Sequence, residues 1–183
     1  MLETDRLILR PWRETDANAY AALQSDPIVR RFFPAPLTPD QAHADLAGHI
    51  EKRAANGFHF MAAELKAGGD FVGLIGIGKV PDITRAAIPS HPDVEIGWVI
   101  HHRFWGQGLA PEGAAAWRDY AFGTLDLPEL VAFTATINTP SQRVMEKIGM
   151  ARDPQDDYLH PRIAEGHPLR PHVLYRIANP RHG

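Results

Sequence analysis

Arg103-Phe104-Trp105-Gly106-Gln107-Gly108-Leu109-Ala110 stands between a strand-like run and a helix-like one. Upstream, Asp93 to Ile100 alternates, with Val94, Ile96, Trp98 and Ile100 on one face and Asp93, Glu95, Gly97 and Val99 on the other, the period of a β-strand. Downstream, Pro111 to Phe122 places Ala110, Ala114, Trp117 and Ala121 on one helical stripe, and Pro111 suits a first turn because it lacks an N–H. Glycines at 106 and 108 let the backbone turn so that successive N–H groups converge where a helix start already has unpaired donors and partial positive charge. Such a nest holds a pyrophosphate. The helix dipole contributes only about 0.3 to 2 kcal/mol, whereas micromolar binding needs about −8.2 kcal/mol, so most of the affinity comes from contacts along a long ligand.

The rest of the chain alternates α and β without repeats, low-complexity tracts or Gly/Ser linkers. Leu7 to Pro11 reads as a short strand, and a helix follows Thr15-Asp16 and runs to Asp26-Pro27. Thr38-Pro39-Asp40-Gln41 opens a second helix that Gly57 ends. Phe58 to Leu65 and Phe71 to Val80 form a hairpin, Leu130 to Ile137 is β-rich, Asn138 to Lys147 is helical with Gly149 beyond it, and His172 to Ile177 is a last strand. Phe32 to Pro39, Pro81 to Pro92 and Tyr158 to Arg170 read as loops, and Asp153, Asp156 and Asp157 as a solvated acidic turn.

Composition narrows the function. A chain of 183 residues, 44% hydrophobic, fills one domain, expected to span 1–183. With no cysteine it has no disulfide framework, thiolate zinc site or Cys nucleophile. The formal charge of −3 leaves no basic surplus for nucleic acid. The longest run without a charged residue, Leu130 to Gln142, is thirteen residues, short of the ~20 a membrane span requires. The start, MLETDRLILR, lacks the apolar core of a signal peptide, so the expectation is a soluble cytoplasmic protein with neither nucleic acid nor membrane as partner. Oligomeric state stays open, a homodimer included.

Arg103-x-x-Gly106-x-Gly108-x-Ala110 resembles the acyl-CoA pyrophosphate loop of the GNAT superfamily of N-acetyltransferases. Asn138-Thr-Pro-Ser141, followed by a helix ending in Lys147-Ile-Gly149-Met150, is similar to a second signature of that superfamily. Thr4-Asp-Arg-Leu-Ile-Leu-Arg-Pro-Trp and Phe71-Val-Gly-Leu-Ile-Gly resemble the branch of ribosomal-protein N-terminal (alanine) acetyltransferases. The resemblance implies an α/β GNAT fold, a mixed, mostly antiparallel twisted sheet flanked by helices, with acetyl-CoA as co-substrate and no metal. It implies that backbone groups of Val99 and Ile100 pair with the pantetheine arm. Arg103, Trp105, Gly106, Gln107, Gly108, Leu109 and Ala110 would hold the pyrophosphate, Asn138 would contact the CoA arm, and Ser141 would lie near the thioester sulfur. Many members carry at the position of Met145 a Tyr that protonates the leaving thiolate; Met cannot, which leaves Ser141 or water.

An amine attacks a thioester only with its lone pair free. Reference pKa values put deprotonation at pH 7 at roughly 1.2 kcal/mol for an α-amine and roughly 4.6 kcal/mol for a lysine. Glu95, mid-strand on the Gly97 face, is the expected base, working through a water, with direct attack in a ternary complex. The expected acceptor is the N-terminal α-amine of a peptide or protein. The alternatives are a small amine (a polyamine, amino acid or antibiotic) or a module that binds acyl-CoA without transfer. Three other patterns are decoys. Gly73 to Val80 lacks the Ser/Thr of a phosphate loop, Gly106-x-Gly108 lacks a third glycine, and His101-His102 has no zinc-site spacing and reads as surface.

Overall fold

The computed structural model describes residues 1–182. In chain order it contains β1 (Leu2–Glu3), β2 (Leu7–Arg10), α1 (Ala17–Ser25), α2 (Pro39–Asn56), β3 (Met61–Leu65), β4 (Phe71–Lys79), the four-residue α3 (Asp82–Arg85) and β5 (Val94–Ile100). There follow α4 (Leu109–Gly123), β6 (Glu129–Ala135), α5 (Thr139–Lys147), β7 (Ala151–Arg152), β8 (Tyr158–Leu159) and β9 (Pro171–Ala178). The strand order is β1-β2-β3-β4-β5-β6-β9-β7, with β8 beside β9. β1–β2, β2–β3, β3–β4, β6–β9, β7–β9 and β8–β9 pair antiparallel and β5–β6 pair parallel, so the expected mixed, mostly antiparallel sheet flanked by helices is present. No described helix is long and apolar enough to cross a membrane. By internal contacts the chain divides into two compact units, 1–77 with 97–117 and 78–96 with 118–183.

In the first unit, Thr38 opens α2 with a reciprocal cap, its hydroxyl accepting from Gln41 N–H while the Gln41 side chain accepts from Thr38 N–H, and Gly57 closes it in a left-handed turn at φ 79°. Tyr20 and Leu23 of α1 pack with Ala42 and Leu46 of α2 and Leu74 of β4. Arg10, buried at the end of β2, pairs with Asp16 at 2.7 Å and Glu64 at 2.7 Å and so ties β2 to the start of α1 and to β3. Gly73 and Gly76 of β4 are close-packing positions. A Cβ at Gly76 would lie 2.4 Å from Phe60 Cα, and one at Gly97 of β5 would lie 3.1 Å from the Phe60 ring. Phe60 therefore rests on a floor made by two residues without side chains.

In the second unit, β6 and β9 run antiparallel from Glu129↔Ala178 to Ala135↔His172. Val80, Ile88, Val131, Tyr158 and Leu174 form its core. The acidic run is not a solvated turn: Asp156 is buried, accepts from Ser90 N–H at 2.9 Å and pairs with Arg176, while Asp157 pairs with Arg152. The reason is β9, whose register with β7 places Arg176 opposite Ala151 and Tyr175 opposite Arg152. The two-residue strands β7 and β8 are additions to the sequence reading, too short to show a period.

Gly76→Ala is expected to cost about 2–3 kcal/mol in urea unfolding, since the backbone at Phe60 cannot yield. Gly123→Ala, in open space at the end of α4, is expected to stabilise by about 0.5 kcal/mol. Equal effects would contradict the packing assigned to β4.

His59 is buried without a partner for either ring nitrogen, and burial, helped by the charges of His49 and Lys52, pushes it down to about 4. The unfolded chain then binds the extra proton first, so the stabilising contribution is complete above about 6.5 and is lost as pH falls toward 4, on the order of 3 kcal/mol. Denaturant titrations from pH 7 to 4.5 should show that loss, and His59→Phe should make it shallower; an unchanged slope would contradict a neutral His59.

Candidate active site

In the first unit the nest is built as its letters suggest. Gly106 and Gly108 both adopt left-handed φ, 76° and 78°, which an L side chain adopts only at a cost. Among the described residues, none of the five N–H groups from Gly106 to Ala110 donates to a protein acceptor. The α4 helix begins at Leu109, so its first unpaired donors continue those of the turn, and Pro111, third in the helix, adds no N–H to them. Leu109 is buried, so its side chain anchors the turn and only its N–H faces the nest.

Glu112, with Thr4 and Arg6 from the N-terminal stretch, holds this turn. Glu112, in the first turn of α4, accepts from the Thr4 hydroxyl at 2.5 Å and from Arg6 N–H at 2.9 Å, and it pairs with the Arg6 guanidinium at 2.6 Å. Burial alone would raise its carboxyl, but these hydrogen bonds and the Arg6 charge hold it below the usual range. Arg6 also donates to the Gln107 carbonyl at 2.8 Å, and the Gln107 side chain donates to the Arg103 carbonyl at 3.2 Å. Thr4 and Arg6 lay inside the quoted N-terminal resemblance; Glu112, three residues beyond the Leu109 helix start, was the available signal for its partner.

Val99 and Ile100 end β5. A Cβ on Gly73 would lie 2.1 Å from the Val99 carbonyl oxygen, so that carbonyl faces β4. The Ile100 carbonyl accepts from Trp105 Nε1 at 2.8 Å. Trp105 is partly exposed with the Arg31 guanidinium 4.6 Å from its ring, while Arg103 lies over Phe104 and reaches Asp70 at 3.6 Å. His101 and His102 are partly exposed and are engaged: His101 Nδ1 accepts from Arg103 N–H, and His102 pairs with Asp26 at 2.8 Å.

The second unit carries the other three expected residues. Glu95, half-buried, stands opposite Val131 in the one parallel register between β5 and β6. Asn138 caps α5, its side-chain oxygen accepting from Ser141 N–H at 3.4 Å and its amide donating to Thr134 Oγ1 at 2.8 Å. Met145 is buried on α5 and offers no proton. Tyr158 of β8 was not singled out by the sequence; its ring packs edge-on against Phe133 at 5.9 Å, and its hydroxyl is buried.

Residues 6–151 match the model of the acetyltransferase (GNAT) domain family. The chain belongs to the GNAT acetyltransferases. The match draws on both units. Among GNAT relatives, uncharacterized protein YkkB of Bacillus subtilis is 33% identical over 150 residues, covering 81% of this chain and 84% of its own. An FsC-acetyl coenzyme A-N(2)-transacetylase of Aspergillus fumigatus is 33% identical over 154 residues, 81% of this chain and 64% of that protein. The crystal structure of a GNAT-family acetyltransferase from Bacillus anthracis superposes with a TM-score of 0.78 at 26% identity, covering 97% of this chain and 98% of the other. A ribosomal-protein-S5-alanine acetyltransferase from Vibrio fischeri, at 16% identity and TM-score 0.71, shares the fold alone. The same holds for a spermidine N-acetyltransferase from Vibrio cholerae in complex with CoA and spermine, at 19% identity and TM-score 0.73. The GNAT family is thus shown and the ribosomal-protein branch is not. The activity is acetyl-CoA-dependent N-acetyl transfer of the GNAT type.

A side chain at 108 strains a left-handed position and, if acidic, repels phosphate. Gly108→Glu is expected to abolish CoA binding in calorimetry while circular dichroism stays that of the parent. Unchanged affinity would place the phosphates elsewhere.

Proposed function

We propose that the acceptor is a free α-amine, carried by the N-terminus of a protein or peptide, and that it attacks acetyl-CoA directly in a ternary complex. The observation that carries the co-substrate half is the row of five uncommitted N–H groups at the start of α4, Gly106 to Ala110, with Arg103, Trp105 and Gln107 around them. The Ile100 N–H at the end of β5 pairs with the pantetheine arm, while the Ile100 carbonyl accepts from Trp105 and the Val99 carbonyl is turned to β4. Asn138 contacts the same arm.

The amine surrenders a proton to the Glu95 carboxylate through a water, its lone pair forms the new C–N bond, and the C–S bond breaks with its electrons on sulfur. As the amide forms its nitrogen loses a second proton, which passes through Ser141 or a water to the thiolate, so that CoA leaves as the thiol and the relaying group ends neutral. Support for an α-amine is energetic: freeing its lone pair at pH 7 costs roughly 3.4 kcal/mol less than freeing a lysine's, a task within reach of one carboxylate. The relative named as an N(2)-transacetylase favours the second reading, a small molecule bearing such an amine.

The test is thiol release from acetyl-CoA with free N-terminal peptides, N-terminally blocked lysine peptides and small amines. Turnover of the free N-terminal peptides is expected, and Glu95→Gln should lower kcat by about 10²-fold or more, most at low pH. Turnover confined to small amines would move the assignment to the second reading, and unchanged kinetics in Glu95→Gln would remove Glu95 from the chemistry.

A further inference from the structure

Consecutive residues of a strand point to opposite faces, but His101 and His102 follow the end of β5 and stand where the chain enters the short helical turn His102–Phe104. That turn brings both imidazoles together, with ring centroids 4.6 Å apart and planes tilted by 33°. A carboxylate from 76 residues before His102 meets them. Asp26, just past the last residue of α1, accepts from Ile28 N–H at Oδ1, 2.8 Å away, and turns Oδ2 to His102 Nδ1 at 2.8 Å. One oxygen of Asp26 and one ring nitrogen of each histidine lie within 4.8 Å of one another, all three residues partly buried and all in the first unit. Spacing along the chain hides this cluster, because its third member arrives through the fold.

An ion pair of Asp26 with His102 accounts for two of the three residues. It does not account for His101, whose ring accepts only a long bond, 3.3 Å, from Arg103 N–H. Two imidazole nitrogens and a carboxylate oxygen are a donor set suited to Zn²⁺, which takes three protein ligands and a water in an open tetrahedral site. With bonds of about 2.0–2.2 Å such an ion holds its ligand atoms about 3.4 Å apart, so the widest pair within the 4.8 Å cluster closes by at most roughly 1.4 Å. The His102 side chain, 38% exposed, has room to turn by that much. Ile28 N–H already orients the carboxylate, as outer partners of metal ligands do. The nearby cations are engaged elsewhere, Arg103 over Phe104 and toward Asp70, Arg31 on the Trp105 ring.

We infer that Asp26, His101 and His102 form a binding site for one Zn²⁺ ion, open to water at its fourth position. The ion takes the place of the proton between Asp26 and His102: a neutral His102 binds through Nδ1 with its proton on Nε2, and a protonated one releases a proton to solvent. His101 gives up its long bond from Arg103 N–H. The ion then joins the end of α1 to the end of β5, where the chain turns toward Gly106. The site depends neither on the proposed acceptor nor on Glu95.

The probe is Zn²⁺ alone, titrated into the chelator-stripped full chain at neutral pH against a competing chromophoric chelator. One equivalent is expected to bind at micromolar concentration, and Co²⁺ in its place is expected to show the visible absorption of a four-coordinate ion. The deciding variant is His101→Gln, which leaves the pair of Asp26 with His102 intact. Changing even an outer partner of a metal ligand costs about 10–100-fold in affinity, so His101→Gln is expected to weaken Zn²⁺ at least about 10-fold while circular dichroism stays that of the parent. Asp26→Asn should weaken it as much, and the rise in Tm that Zn²⁺ gives the parent should vanish in both. Absence of a bound equivalent in the parent overturns the inference. Zn²⁺ held by His101→Gln as tightly as by the parent overturns it too, because the ion then sits on other histidines, such as the neighbouring rings of His49 and His59.

Discussion

β5 meets β6 in a single parallel register, Glu95 opposite Val131, whereas β6 continues along β9 from Glu129 to Ala135. Backbone N–H and C=O groups left out of a ladder demand another partner. On the proposed reading that partner is the amide-bearing arm of acetyl-CoA, which lies along β5 as an added strand would. The strand thus has two uses along its length: the Glu95 end is paired and carries a carboxylate, and the Ile100 end leads through Trp105 into the glycine turn.

A nest of N–H groups has to be held open without filling its own donors. The ion pair of Arg6 with Glu112 does this from the side. It fixes the first turn of α4 through Glu112 and the carbonyl of Gln107 through Arg6, leaving the N–H groups of the turn uncommitted. Because Arg6 is about half exposed, this pair contributes little to global stability, and its value is geometric. The backbone at Gly106 and Gly108 supplies the rest, since left-handed residues set beside right-handed ones turn successive donors one way.

Most of this was legible in the letters. The alternation of Asp93 to Ile100, the glycines at 106 and 108, the Thr38 cap and the Asn138 helix start each rest on local rules, and each stands where those rules put it. What the letters did not show depends on distant partners. Asp156 reads as a solvated acid until β9 brings Arg176 to it from 20 residues away, and Glu112 reads as a helix-surface carboxylate until Thr4 and Arg6 arrive from the opposite end of the chain. Tyr158 lies in a stretch with no period at all; that it shares a sheet face with Glu95 follows only from three strand registers in succession. The acceptor is illegible for the same reason, because the loops expected to shape its pocket, such as 32–39, follow no local rule.

The central claim is that acetyl-CoA runs along the Ile100 end of β5 into the turn at Gly106. Hydrogen–deuterium exchange of backbone amides with and without CoA tests it at the donors themselves. The account predicts that CoA protects the amides of Ile100 and of Gly106 to Ala110, whose donors it engages, more strongly than any other segment of comparable exposure. Unchanged exchange in that turn, with protection concentrated in another loop, would contradict it.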